Sequence, residues 1–145
     1  MIALRCYRDP DLDAVVALWE TVFPDSPAWN NPRADIEKKL CVQKDLFLVA
    51  THDMEVVGTA MAGFDGHRGW VYYLAVSPDY RGQGIGRALM RETERRLVDL
   101  GCTKLNLQVR ADNPQAVDFY RQLGYEIEPR ISLGKRLGHA RASGA

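Results

Sequence analysis

Apolar positions recur at helical spacing in three stretches of this chain and in short alternating or continuous runs between them. Leu12, Val15, Val16, Trp19 and Val22 form one stripe, and Ile85, Leu89, Thr93, Leu97 and Leu100 a second and longer one. Ala116, Val117, Tyr120 and Leu123 form a third, and Ala34 to Val42 reads as a shorter helix with Ile36 and Leu40 inward. Asp9-Pro10 and Asn113-Pro114 set a capping residue before proline at a first helical position, and Gly101 and Gly124 close the last two helices. Ile2 to Tyr7, Leu46 to Thr51, Val56 to Phe64, Trp70 to Val76 and Leu105 to Val109 read as strands. His52-Asp53 and Asp65-Gly66 turns join the second, third and fourth into an antiparallel meander. A crossover through the long helix makes the fifth strand parallel to the fourth. Tyr125 to Ile127 and Ile131 to Leu133 supply a closing hairpin. The expected fold is one α/β domain over residues 1–137, a mixed sheet of six to seven strands with about four helices in the order β-α-α-β-β-β-α-β-α-β-β. Residues 138–145 read as a disordered tail.

The apolar run Tyr73-Leu74-Ala75-Val76 ends in Ser77-Pro78 and is followed by Arg81-Gly82-Gln83-Gly84-Ile85-Gly86-Arg87 at the head of the long helix. A strand that empties into a glycine-rich turn opening a helix leaves backbone N–H groups unpaired beside the positive end of the helix dipole. That arrangement cradles an anion, most naturally a pyrophosphate. A side chain at Gly84 or Gly86 would hold a phosphate off the backbone, and Arg81 and Arg87 add positive charge at the rim. The dinucleotide fingerprint fails, because the sixth position counted from Gly82 is Arg87 and counted from Gly84 is Leu89. No Gly-Lys-Ser or Gly-Lys-Thr occurs either, so hydride transfer and nucleotide hydrolysis are disfavoured.

The string Arg81-Gly82-Gln83-Gly84-Ile85-Gly86 resembles the acetyl-coenzyme A loop, Arg/Gln-x-x-Gly-x-Gly/Ala, of the GCN5-related N-acetyltransferase (GNAT) superfamily. Downstream, Asn113-Pro114-Gln115-Ala116-Val117-Asp118-Phe119-Tyr120-Arg121-Gln122-Leu123-Gly124-Tyr125 is similar to that superfamily's Asn-x-x-Ala-x-x-Phe-Tyr-x-x-x-Gly-Phe/Tyr segment. The segments Asp65 to Gly69 and Ser132 to Leu137 narrow the resemblance to YpeA-type bacterial acetyltransferases.

The resemblance implies direct acetyl transfer from acetyl-CoA to a primary amine of a small molecule or protein. It places the pantetheine arm against Leu74, Ala75 and Val76, in a splay between the fourth and fifth strands. It places the pyrophosphate on Arg81, Gly82, Gln83, Gly84, Ile85, Gly86 and Arg87, with Asn113 and Tyr120 also on the cofactor. Tyr120 stands where the family has its general acid, and a phenol with a pKa of about 10 can donate a proton at neutral pH. Spacing alone also fits a merely buried tyrosine. N-terminal acetyltransferases of similar sequence carry a glutamate base in a Leu-Glu-Val-Arg run, where this chain has Leu107-Gln108-Val109-Arg110. Gln108 cannot accept a proton. Asp65 or His67 is the remaining candidate base, although Asp65-Gly66-His67 also reads as a simple turn. The loop from Phe23 to Pro32, with Trp29 and Asn30, is the expected acceptor wall, and Tyr73 and Gln108 are further acceptor contacts. Trp29 fits a loop anchor equally well. Asp35 and Lys39 read as an i, i+4 ion pair on a solvated helix face. A protein N-terminal or lysine acetyltransferase and a non-catalytic acyl-CoA-binding module are the competing readings.

Composition narrows the partners. Across 145 residues, 19 acidic side chains balance 19 basic ones, which gives no electrostatic case for nucleic acid or an anionic membrane. Cys6, Cys41 and Cys102 lie too far apart for a zinc motif or a disulfide framework, so no metal and a reducing compartment are expected. The N-terminus lacks a basic region followed by an apolar core, which leaves the cytoplasm as the expected location. By analogy alone, exposed sheet edges could pair into a homodimer.

Overall fold

Strand pairing follows the alternation of apolar side chains. In the computed structural model, which describes residues 1–27 and 29–138, β1 (Ile2–Cys6), β2 (Phe47–His52), β3 (Glu55–Phe64) and β4 (Gly69–Val76) form an antiparallel sheet in chain order. β5 (Leu105–Asn106) joins β4 in parallel, through Gly69 opposite Leu105 and Trp70 opposite Asn106. Phe47, Leu48, Val49 and Ala50 are all fully buried, as a strand covered on both faces requires.

One face carries α1 (Leu12–Val22) and α2 (Pro32–Lys39). Val15, Val16, Leu18, Trp19 and Ile36 pack there on Phe47, Val49, Met61 and Ala75, with the Tyr7 ring stacked on Phe47 at 4.7 Å. α3 (Ile85–Asp99) contacts β2, β3 and β4 and buries Ile85, Leu89, Met90, Thr93 and Leu97. The Thr93 hydroxyl has no hydrogen-bond partner among the described residues. These elements belong to a compact unit running from Met1 to Gln108. The remainder, Val109–Ala145, is a second unit whose regular element is α4 (Pro114–Gln122), capped where Ala116 N–H donates to the Asn113 side chain at 3.1 Å.

Several sequence expectations need correction. The described residues hold five strands, not six to seven, because the expected closing hairpin is absent: residues 125–137 have no regular pairing. Pro129 at its centre cannot donate to a ladder, and Ile127, Ile131 and Leu133 are exposed instead of covering a sheet face. The fifth strand is two residues long where five were expected. α2 starts earlier than Ala34 because Asn31 caps it, accepting from Ala34 N–H at 3.2 Å, and Pro32 fits its first position. Before α1, Asp9 does not cap. Asp11 accepts from Arg8 N–H at 2.8 Å and holds Arg5 through two bonds of 2.7 and 2.9 Å. The expected tail lies outside the described residues beyond Gly138.

Candidate functional site

Arg81 to Arg87 form the turn between β4 and α3. Gly82 and Gly84 both take φ of +80°, a left-handed conformation in which other residues are strained. Alternating such residues turns successive N–H groups toward one concavity. Among the described residues, none of the N–H groups from Gly82 to Arg87 meets a backbone acceptor, and the first helical bond is Ala88 N–H to the Gly84 carbonyl at 3.0 Å. A Cβ built on Gly82 or Gly84 would meet nothing within 4 Å, so the space beside both glycines is open. Ile85, 2 % exposed, pins the first turn of α3 to the sheet. Gln83 and the Arg87 guanidinium are exposed, whereas Arg81 folds back so that its Nε donates to the Val76 carbonyl at 3.3 Å. Donors held on a rigid helix start, an open concavity and a free arginine suit a diphosphate.

β4 leads straight into this loop. Its pairing with β5 stops at Trp70, so from Val71 onward that edge has no strand partner among the described residues. The opposite edge carries a β-bulge: Thr59 faces Ala75 but Met61 faces Tyr72, so β4 has one extra residue there. Tyr73, in the bulge, has φ of +53°. An unusual backbone at a non-glycine residue persists only where its surroundings hold it. Here the Trp19 Nε1–H donates to Thr59 Oγ1 at 2.9 Å, and that hydroxyl donates to the Tyr73 carbonyl at 2.8 Å. The Tyr73 ring stacks on Trp19 with centroids 3.8 Å apart, and meets Phe23 edge-on at 5.8 Å. Its hydroxyl donates to Asp35 Oδ2 at 2.8 Å. Burial and this carboxylate push the Tyr73 phenol well above its ordinary range. Leu74 and Val76 are half-buried on the open edge and Ala75 is buried against α1.

Asp35 therefore pairs with Tyr73 and not with Lys39, as the i, i+4 spacing suggested. The Lys39 ammonium reaches the Ala62 carbonyl, and burial lowers its pKa. Asp65 caps the β3–β4 turn, its Oδ1 accepting from Arg68 N–H at 2.7 Å and His67 N–H at 2.8 Å. These bonds hold its carboxyl below the usual range. Asp65 and His67 thus sit at the opposite end of β4 from the phosphate loop, across roughly 25 Å of strand. Trp29 is exposed, and Asn30 donates from Nδ2 to Ser26 Oγ at 3.0 Å, which ties the loop before α2. Gln108 is exposed at the end of the first unit.

In the second unit Tyr120 lies on α4, half-buried, with Phe119 and Tyr125 edge-on at 5.1 and 5.8 Å. Burial pushes its hydroxyl up to about 12. Asn113 is committed to capping α4. The bulge and the Asp35–Tyr73 contact escaped sequence reading. An extra residue in a strand has no compositional signature, although three aromatics (Trp70, Tyr72, Tyr73) within four residues were a hint that strict alternation breaks there.

A mixed sheet whose fourth strand parts from the fifth and runs into an open, donor-lined helix start suits a phosphate-bearing cofactor with an extended arm. The Acetyltransferase (GNAT) family profile matches residues 12–125. An acetyltransferase of Pectobacterium atrosepticum is 48% identical over 134 residues, covering 92% of this chain and 94% of the relative. An acetyltransferase of Sodalis glossinidius is 49% identical over 135 residues, with the same coverage. Among solved structures, the aminoglycoside acetyltransferase AAC(6')-Iy in complex with a CoA bisubstrate analogue superposes with a TM-score of 0.79 at 18% identity, covering 95% of this chain and 99% of that one. The ribosomal-protein-S18-alanine N-acetyltransferase of Escherichia coli superposes with a TM-score of 0.72 at 25% identity, covering 86% and 77%. The chain belongs to the GNAT family. It is an N-acetyltransferase that uses acetyl-CoA. Among the described residues no helix is long and apolar enough to cross a membrane.

Proposed function

We propose that this enzyme transfers acetyl directly from acetyl-CoA to a primary amine of a small molecule, without a covalent enzyme intermediate. The observation that carries the reading is the row of unpaired N–H groups from Gly82 to Arg87, continuous with the unpaired edge of β4. Those donors and Arg87 hold the pyrophosphate, and the backbone of Leu74 to Val76 lies along the pantetheine arm. Bound acetyl-CoA supplies the acetyl group as a thioester. The amine loses its proton to solvent and its lone pair attacks the carbonyl carbon. The C–N bond forms, the nitrogen gives up its second proton to solvent, the C–S bond breaks, and the departing thiolate takes a proton from Tyr120, which solvent then restores. The role of Tyr120 rests on the motif around it and on a phenol that stays protonated at neutral pH. Gln108 supports a small acceptor over a protein N-terminus, since it replaces the glutamate base of similar N-terminal acetyltransferases.

The test is thiol release from acetyl-CoA with a panel of amines, for wild type and Tyr120→Phe. The expected result is a kcat lower by about 100-fold or more in the variant, with acetyl-CoA affinity unchanged. Wild-type protein that binds acetyl-CoA but turns over no amine would identify a non-catalytic binding module instead.

A further inference from the structure

Asp35 carries a charge that the fold leaves uncompensated. It is half-buried on α2, and among the described residues its side chain has one partner, the neutral Tyr73 hydroxyl. The cations of the same helix are engaged or turned elsewhere. Arg33 bonds to Asp13 at 3.0 Å, Lys39 reaches the Ala62 carbonyl, and Lys38 is exposed and makes no contact with it. A carboxylate partly withdrawn from water is costly without a counter-charge.

Position decides what this charge is for. Tyr73 is in the bulge of β4, on the same strand whose open edge takes the pantetheine arm, three residues past Trp70, the last residue paired with β5. The Asp35 carboxylate is therefore one tyrosine side chain away from the backbone where the thioester end of the arm is expected. It lies on the α1–α2 face of the sheet.

We propose that Asp35, oriented by the Tyr73 hydroxyl, is a specificity-determining residue that binds a second cationic group of the acceptor, so that the acceptors are organic di- or polycations. This rests on the acetyltransferase reading above and names the acceptor class for the same site. The second ammonium pairs with Asp35 while the reacting amine, one short carbon chain away, faces the thioester. A purely structural Tyr–Asp bond makes a different prediction, because asparagine would accept the Tyr73 proton equally well and nothing else would change.

The experiment is calorimetric titration of the protein saturated with CoA, using 1,5-diaminopentane and 5-aminopentanoate, which match in chain length and differ in the charge of the far group. Wild type is expected to bind the diamine at least tenfold more tightly than the zwitterion. Asp35→Asn should remove that preference while leaving CoA affinity intact, and Tyr73→Phe, which keeps the charge but frees its orientation, should reduce the preference by less. In thiol-release assays of the diamine, Asp35→Asn should raise KM about tenfold with a smaller change in kcat. A wild type without the preference, whether it binds both compounds or neither, overturns the proposal, as does a preference that survives in Asp35→Asn. Failure of CoA itself to bind would instead overturn the acetyltransferase reading on which the proposal stands.

Discussion

Replacing Gly84 by alanine separates the folding role of the loop from its binding role. Gly84 takes φ of +80°, and a Cβ there would meet nothing within 4 Å, so the methyl brings no clash within the protein. The stability cost is then the backbone term alone, about 1–2 kcal/mol for an L-residue held in the left-handed region. For a chain of this size that corresponds to a fall in Tm of about 3–8 °C. Binding should suffer more, because the methyl occupies the concavity into which the loop N–H groups point. Each charge-assisted bond lost to the phosphate is worth about 1.5–3 kcal/mol, so losing even one weakens acetyl-CoA by about 10- to 100-fold. Gly101, at the other end of α3, supplies the control: its φ is +89° and its Cβ would also meet nothing within 4 Å. Gly101→Ala should lose similar stability and keep full acetyl-CoA affinity. Thermal melts and calorimetric titration of the two variants read both quantities. Wild-type affinity in Gly84→Ala, or equal affinity losses in the two variants, would refute the assignment of the phosphate to this loop.

Two fully buried threonines should respond oppositely to the same change. Thr59→Val strands the Trp19 indole N–H and the Tyr73 carbonyl and should cost about 2–3 kcal/mol in denaturant melts, whereas Thr93→Val removes a hydroxyl that has no partner and should be neutral or stabilising by about 1 kcal/mol. Asp11→Asn breaks the two-bond pair with Arg5 and should cost about 2–3 kcal/mol. It should also flatten the acid limb of the stability curve. Burial raises the Asp11 pKa, but the Arg5 bonds, the Arg8 N–H bond and the charges of Arg5 and Arg8 together outweigh it and hold the carboxyl below its ordinary 3.8. Its contribution is therefore complete above about pH 4 and lost as pH falls through the depressed value. Glu92, drawn down to about 2 from 4.5 by Arg95 and Arg96, adds a loss of the same sign between pH 4.5 and 2. Melts from pH 6 to pH 2 check this, and an acid limb as steep in Asp11→Asn as in wild type would contradict it.

Much of the fold was legible because it is specified over short range. The four antiparallel strands announce themselves by apolar runs between turns, and α3 by its stripe and the glycines before and after it. The glycine turn is the clearest case: the exposure of its backbone N–H groups follows from the local order of strand, glycine turn and helix. The closing hairpin misled for the complementary reason. Two short triplets that alternate apolar, polar and apolar around Glu128-Pro129-Arg130 satisfy a pattern, yet a strand exists only where another edge accepts it.

What the sequence by itself determined was thus the cofactor: a donor-lined loop at a helix start, with a family motif written into neighbouring residues. Only the tertiary structure decided the surroundings of Asp35. Thr59, Tyr73 and Asp35 come from three separate elements, and their meeting depends on a single extra residue in β4 and on how α1 and α2 lie on the sheet. Spacing on a helix says that Asp35 could reach Lys39. The energy of stacking Tyr73 on Trp19 and of seating its hydroxyl on a carboxylate, a long-range sum that no local window contains, set its partner instead.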